Sequence, residues 1–334
     1  MINIVKKLLK WLAPYSWKKI YNKNTSVRYY FQAHILGHKI PNTASENKFL
    51  DINNPEFQRI SKVYSEINSD KSFWVDWFDN ADFKNFKGEN VFVTQLAGLR
   101  SIKTAYENTV KFAVQNDRLG LMSIFDEDRK FGVESVLLEN GCFSRDRVDS
   151  VIEINYFSKL IGLTRESNIR VLDIGAGYGR FSSRVLQAFP GAYVYCGDVV
   201  PQATFLCDFY MKFKGFNSTH FTCGSYDGLE AESYFDLAVN IHSFSEAPLV
   251  SIKKWLDLVY LKAEYLFIVP SGNELVSMEQ DGSRESYEGY INQLGYELVE
   301  KTFKYDGEDF PRDLCLSPTN YYLFRKTCHE CIDP

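Results

Sequence analysis

Along the second half of the chain, apolar and polar positions alternate between two periods. Short apolar runs of strand length are separated by stretches in which apolar residues recur every three or four positions. "RVLDIG", "AYVYCGD", "THFTCG", "FDLAVNI" and "EYLFIVP" read as five strands. Between them, "GRFSSRVLQAF", "QATFLCDFYMKF" and "SEAPLVSIKKWLDLVY" read as helices. The first is stopped by Pro190-Gly191 and the second near Gly215. "SRESYEGYINQLGY" predicts a further helix ending at Gly295, and "YELVEKTFKY" and "TNYYLFRK" predict two closing strands. Ser144 is a candidate cap for a helix in which Val148, Val151, Ile152, Tyr156 and Leu160 recur at helical spacing. Strand–helix alternation ending in a strand pair predicts an α/β fold: a mostly parallel seven-stranded sheet, helices on both faces, and an antiparallel element at one edge.

The first 143 residues differ. They read as a mainly helical, aromatic-rich region preceding a domain at 144–334, a cover for the substrate site or a docking element. "SFWVDWFDNADFKNF" (72–86) sets six aromatic rings among three aspartates. It reads as an aromatic core under a loop, or as the wall of a site for a partly polar ligand such as a sugar.

Charge sharpens this division. The net charge is −5, which argues against a general nucleic-acid binder. Residues 1–45 nevertheless carry eight Lys/Arg and no Asp or Glu. Ile4, Leu8, Trp11 and Leu12 fall at helical spacing beside Lys6, Lys7 and Lys10, so residues 4–23 are a candidate for peripheral contact with an anionic membrane face. The same face suits docking on this chain or on a partner. Lys10 breaks the apolar stretch and no small-residue cleavage site follows, so it does not read as a signal peptide. No apolar run reaches the roughly 18 residues of a spanning helix. The expectation is a cytoplasmic protein, with the inner membrane face as the candidate contact. The seven cysteines are scattered and odd in number, and "CHEC" (328–331) is a single CxxC without a second pair. Neither a disulfide framework nor a zinc pattern is expected.

The candidate chemistry centres on "VLDIGAGYGRF" (171–181). Gly175, Gly177 and Gly179 form the turn between the first strand and its helix, where a ligand of such a sheet sits. The spacing D-x-G-x-G-x-G departs from the G-x-G-x-x-G of dinucleotide sites. Asp173 beside the turn disfavours a pyrophosphate and suits a cationic ligand without phosphate, such as S-adenosylmethionine. Asp198, 25 residues on and at the end of the second strand, is placed to accept hydrogen bonds from both hydroxyls of a ribose, or to cap a turn. Ser225, Tyr226 and Asp227 follow the third strand, where an adenine would be met, or simply form a tight turn.

With these residues the chain resembles a class I S-adenosylmethionine-dependent methyltransferase over roughly 145–327. More narrowly it resembles the sugar O-methyltransferases of bacterial surface-polysaccharide gene clusters, through "VLDIGAGYGRFSSRVL", "YCGDVVP" and "VNIHSFSEAP". The resemblance implies a Rossmann-like fold, S-adenosylmethionine as methyl donor, and a hydroxyl of a sugar, sugar nucleotide or glycan as acceptor. It places Asp173, Gly175 and Gly177 at the methionine end of the donor and Asp198 at the ribose. Methyl transfer to a hydroxyl requires the proton to leave as the bond forms. His242, at the end of the fourth strand, is the leading candidate base, or else a histidine held in its turn. Glu246 is a second candidate, although Ser243-x-x-Glu246 also matches a capping box. Asp227 is a third. Asn240 orients a ligand or closes the strand end, and Tyr178 and Arg180 are candidates for the donor carboxylate or the acceptor. A metal-free site is expected over one holding Mg²⁺ through carboxylates and histidine, since no dense carboxylate cluster stands near His242 in sequence. A non-sugar acceptor, with methylation at nitrogen or oxygen, and a non-catalytic scaffold are the competing functions.

Overall fold

The computed structural model describes residues 41–67, 83–86, 102–127, 130–132, 135–306 and 314–327. The amphipathic 4–23 stretch, the CxxC at 328–331 and all of 72–86 except 83–86 lie outside them. In chain order the regular elements are α1 (Ala44–Phe49), α2 (Pro55–Ile67), a 3₁₀ turn (Phe83–Asn85), α3 (Ile102–Gln115), α4 (Leu121–Ile124), β1 (Val136–Leu138) and β2 (Gly141–Phe143). Then follow α5 (Arg145–Leu160), β3 (Arg170–Ile174), α6 (Arg180–Ala188), β4 (Tyr193–Gly197), α7 (Pro201–Phe213) and β5 (Phe221–Gly224). A 3₁₀ turn (Tyr226–Ala231), β6 (Phe235–Ile241), a 3₁₀ turn (Ser243–Glu246), α8 (Leu249–Lys262), β7 (Ala263–Val269), α9 (Glu288–Gln293), β8 (Tyr296–Phe303) and β9 (Asn320–Lys326) complete the chain.

The sheet runs β5-β4-β3-β6-β7-β9-β8. Its first five strands are parallel neighbours, and β9 pairs antiparallel with both β7 and β8. This is the Rossmann-like α/β architecture expected from the sequence, with the antiparallel element at one edge. Consecutive strand residues point to opposite faces, and the core divides accordingly. Val171, Val194, Leu237, Phe267 and Leu323 meet α3, α5 and α6 on one face. Leu172, Tyr195, Ala238, Leu266 and Phe324 meet α8 and α9 on the other. Burial on both faces explains why the parallel strands read as continuous apolar runs.

Local signals place the helix ends. Ser144 caps α5 by accepting the Arg147 N–H at 2.9 Å. Pro201 opens α7, where its missing N–H costs nothing. Gly215 ends α7 at φ +89°.

The structure departs from the expected elements in three places. β1 and β2 form an antiparallel hairpin inside the region read as mainly helical. The helix expected over 283–295 shrinks to the six residues of α9. Its first half is extended instead, with Val276 bridged to Ser286 and the Tyr287 N–H bonded to the Leu275 carbonyl. The helix expected from Ser245 starts four residues later, at Leu249, after a separate 3₁₀ turn.

The N-terminal helices join the sheet domain through aromatic side chains. Phe57 and Phe83 pack edge-on at 4.9 Å, and Phe57 meets Phe205 of α7 at 5.5 Å. Phe86 stacks on Phe131 at 4.8 Å. Of the aromatic 72–86 segment, Phe83 and Phe86 are thus buried core.

Candidate functional site

The site is built around the turn from β3 to α6. Gly175, Gly177 and Gly179 take φ of +74°, +58° and +86°, the left-handed region that L side chains enter only at a cost. Their surroundings differ. A Cβ on Gly175 would lie 2.2 Å from Ser243 Oγ, and one on Gly179 would lie 2.7 Å from Cys207 Sγ. A Cβ on Gly177 would meet nothing within 4 Å. Two glycines therefore let the turn pack inward, and the middle one leaves its outer face open. Gly175 N and Ala176 N both donate to the Gly197 carbonyl, at 2.7 and 3.1 Å, which ties the turn to the end of β4.

Two buried carboxylates flank this turn. Asp173 is 3% exposed and accepts from Ser182 Oγ at 2.6 Å. Burial pushes its pKa up to about 7. Asp198 is 8% exposed. Its Oδ2 accepts from Gly177 N and its Oδ1 from Val200 N, both at 2.9 Å. Burial raises it to about 6, against the pull of those backbone donors. Val199 N–H is a third backbone donor to this carboxylate, so one of its roughly four lone-pair sites remains. From the N-terminal region, Tyr64 OH lies 2.5 Å from Thr204 Oγ1 and donates to the Asp198 backbone carbonyl at 3.2 Å. Helix α2 thereby braces the loop that carries Asp198.

The remaining candidates divide into those held inside the protein and those facing out. Asn240 is fully buried. Its amide donates to the Ile174 carbonyl at 3.0 Å and to Ser243 Oγ at 2.5 Å, and its Oδ1 accepts from Phe244 N at 3.1 Å. Its place is therefore a strut between the end of β6 and the glycine turn. Ser243 also bonds the Ile174 carbonyl, at 3.2 Å. The capping box expected between Ser243 and Glu246 does not form, because the serine hydroxyl is committed to the turn. The start of α8 is met from elsewhere: Glu279 Oε1 accepts from Leu249 N at 2.8 Å. Glu246 is half-buried in the 3₁₀ turn.

Tyr178 is 4% exposed and packs at 5.1 Å against Tyr210 in the aromatic cluster. Arg180 turns to α5, pairing with Asp146 at 2.5 Å and Ser150 at 3.2 Å. Ser225 is buried, and its carbonyl accepts from Tyr195 OH at 2.7 Å. Tyr226 packs edge-on to Trp255 at 5.7 Å, with Lys254 Nζ 3.7 Å from its ring centroid. Asp227 is exposed.

His242 has φ +68°, and the described residues contain one other non-glycine of positive φ, Ser317 at +46°. Such strain persists where the surroundings over-determine the backbone. Here His242 N donates to the Val269 carbonyl at 2.7 Å, and its Nδ1 lies 3.3 Å from Ser271 Oγ. Desolvation, then the positive charges of Arg145, Arg180 and Lys304, hold the imidazole well below its ordinary pKa. It is neutral at neutral pH.

Those three cations belong to a buried charge cluster that sequence reading missed. Helix α5 buries Asp146, Asp149, Ser150 and Glu153 as well as its apolar residues. Lys304, 4% exposed, pairs with Asp149 at 2.5 Å, and Arg184 reaches Asp146 at 3.5 Å. The signal for this was the pair of carboxylates at 146 and 149 and a third at 153, within one helix length of a predicted cap. Three of the scattered cysteines also converge. The sulfurs of Cys196, Cys207 and Cys223 lie within 4.8 Å of one another. Burial pushes the Cys207 and Cys223 thiols well up; Cys196, buried with them, is instead drawn well down by its hydrogen bonds to Cys207, Cys223 and Ser182.

No family model and no curated protein matches the chain. Solved structures similar to it include an S-adenosylmethionine-dependent methyltransferase from Clostridium acetobutylicum, at 13% identity over 53% of this chain and 90% of that one, with a TM-score of 0.38. A SAM-dependent methyltransferase from Leishmania major is 17% identical over 53% of this chain and 72% of that one, with a TM-score of 0.39. TehB from Haemophilus influenzae is 16% identical over 54% of this chain and 62% of that one, with a TM-score of 0.37. These are distant likenesses of fold, and the functional reading rests on the site itself. No helix among the described residues is long and apolar enough to cross a membrane.

Proposed function

We propose that the chain is an S-adenosylmethionine-dependent O-methyltransferase whose acceptor is a hydroxyl of a sugar or sugar-bearing molecule. One observation carries the reading. At the carboxyl ends of adjacent central strands, a left-handed glycine turn leaves open space beside Gly177, between two buried carboxylates. That is a cradle for a ligand approaching the backbone closely. A phosphate is a poor occupant, because Asp173 and Asp198 would repel it. A ligand with an ammonium, a sulfonium and a ribose suits both.

In this reading the Asp198 carboxylate is offered to the ribose hydroxyls. Asp173 holds the cationic end, and an incoming positive charge draws its carboxyl toward the ionised form. Ser243 and Asn240 hold Gly175 in place. When bound, the donor supplies a methyl group on a sulfonium, already activated for displacement. The protein's part is then alignment and removal of the hydroxyl proton. His242 is the leading candidate for that proton, being neutral and held at the end of β6; Glu246 and Asp227 are the alternates.

The reading is tested by calorimetric titration of S-adenosylmethionine into the wild-type chain and into Asp198→Ala, with NAD as control. The expected result is binding by the wild type, no response to NAD, and affinity lower by about tenfold or more in the variant, the cost of lost hydrogen bonds to a charged acceptor. Absence of binding by the wild type, or equal affinity in the variant, overturns it.

A further inference from the structure

Three cysteines that follow no sequence motif meet on one face of the sheet. Cys196 of β4 and Cys223 of β5 are register partners, so their side chains stand side by side on the same face. Helix α7 packs there and brings Cys207 onto them, in the core that also holds Val194, Phe221 and Met211. All three are free thiols.

The sulfurs form a closed triangle. Each lies within 4.8 Å of the other two, and Cys223 Sγ is 3.3 Å from Cys207 Sγ. A thiophilic ion holds sulfur at about 2.3 Å, which sets three such sulfurs about 3.8–4.0 Å apart. The triangle is thus near the size an ion would impose, whereas a disulfide would engage two sulfurs and leave out the third. The ion needs no cavity, because it replaces S–H protons already held between the sulfurs. It does need a way in. Strand β5 is the edge of the sheet, and Thr222, Cys223 and Gly224 are each partly exposed. An ion meets this edge first and passes to Cys196 and Cys207, each 1% exposed, by exchange between thiols.

Two further observations set the kind of ion. The carboxylates of Asp173 and Asp208 act electrostatically on the cluster, Asp208 on both Cys196 and Cys223. Negative surroundings favour a cation. Met211 follows Cys207 by one turn of α7, and the two sulfurs lie 3.3 and 2.7 Å from the position that a Gly179 Cβ would take. Three thiols with a thioether beside them make a soft donor set, which selects Cu(I). Hard cations such as Mg²⁺ take oxygen instead. Zn²⁺ closes a structural site with a fourth Cys or His, and among the described residues the cluster holds three cysteines alone.

We propose that Cys196, Cys207 and Cys223 form a Cu(I) site that clamps α7 to β4 and β5 behind the glycine turn. Each thiol that binds gives its S–H proton to the buffer, a metal–sulfur bond takes its place, and no electron changes hands. The site stands whether or not the chain binds S-adenosylmethionine.

The test uses the full chain carrying Cys328→Ser and Cys331→Ser, because the CxxC pair at 328–331 would itself take Cu(I). Reduced protein is titrated without oxygen with Cu(I) against a coloured Cu(I) chelator, with Zn²⁺ and Mg²⁺ as competitors. Copper X-ray absorption is recorded on the loaded protein. Cys207→Ser, Cys223→Ser and, as control, Cys142→Ser are compared in the same background, and each is melted with and without metal. We expect one Cu(I) per chain in a sulfur-only shell, and a melting temperature raised by the metal. Affinity falls about a hundredfold or more in Cys207→Ser and Cys223→Ser and stays within about twofold in Cys142→Ser. Cys207 is buried core, so the partly exposed Cys223 supplies the variant least disturbing to the fold. No copper held against the chelator, oxygen or nitrogen in the shell, unchanged affinity in Cys223→Ser, an equal loss in Cys142→Ser, or displacement by equimolar Zn²⁺ each overturns the assignment.

Discussion

Replacing Gly175 by alanine separates the packing role of the glycine turn from its ligand role. An L residue at φ +74° costs about 1–2 kcal/mol. The new Cβ would sit 2.2 Å from Ser243 Oγ and 2.4 Å from Ser243 Cβ, far inside contact distance. Relieving such overlap typically costs about 1–3 kcal/mol. Moving Ser243 also breaks its bonds to Asn240 and the Ile174 carbonyl, about 1 kcal/mol each. The sum is about 4–7 kcal/mol, a large fraction of the stability of a domain. Gly177→Ala carries only the backbone term, about 1–2 kcal/mol, because nothing lies within 4 Å of its Cβ. The two variants should therefore differ widely in urea midpoint, with Gly175→Ala far lower. Coupling gives the sharper check. In a Ser243→Gly background the overlapping atoms and their bonds are gone, so the cost of Gly175→Ala should fall by about 3–5 kcal/mol. Equal costs in both backgrounds, or a Gly175→Ala penalty no larger than that of Gly177→Ala, would refute the packing account of the turn.

Two further outcomes follow from the same site. Burial raises Asp173 to about 7 and Asp198 to about 6. In the free protein the folded state thus holds protons that the unfolded state releases near pH 4, and this contribution to stability is lost as pH rises from about 4 to 7. Asp173→Asn should flatten that fall, by about 3–4 kcal/mol between pH 4 and 8; parallel melting-temperature profiles for the two proteins would contradict it. Tyr64→Phe removes the hydroxyl that meets Thr204 and the Asp198 carbonyl. It should cost about 1 kcal/mol by urea unfolding and weaken S-adenosylmethionine binding a few-fold by calorimetry. Unchanged affinity would free Asp198 from any dependence on α2.

The sheet was legible because its determinants are local. Five short apolar runs and the helical stretches between them, the first two stopped at Pro190-Gly191 and Gly215, predict the parallel part within a residue or two. Ser144 and the glycine turn behave as their chemistry requires. What was not legible depends on distant partners. The Ser243-x-x-Glu246 signature fails because Ile174 and Asn240 compete for the serine hydroxyl, and Glu279 arrives from thirty residues away to meet α8. The hairpin at 136–143 is short and lies beside helical sequence, so its period of two is hidden. Helix α5 was read from its apolar face alone. That its other residues are also buried follows from what packs against it, and no periodicity announces that.

The contact of Tyr64 with Thr204 joins positions 140 residues apart. Chains are synthesised N-terminus first, at about 5–20 residues per second. Helix α2 therefore leaves the ribosome roughly 7–28 s before α7 exists to receive it. During that interval Phe57 can meet Phe83 but not Phe205, and Tyr64 lacks Thr204, since Phe205 and Thr204 are still unmade. Nascent chains arrested between residues 144 and 200 should recruit chaperones that recognise apolar segments, and chains arrested well past α7 should release them.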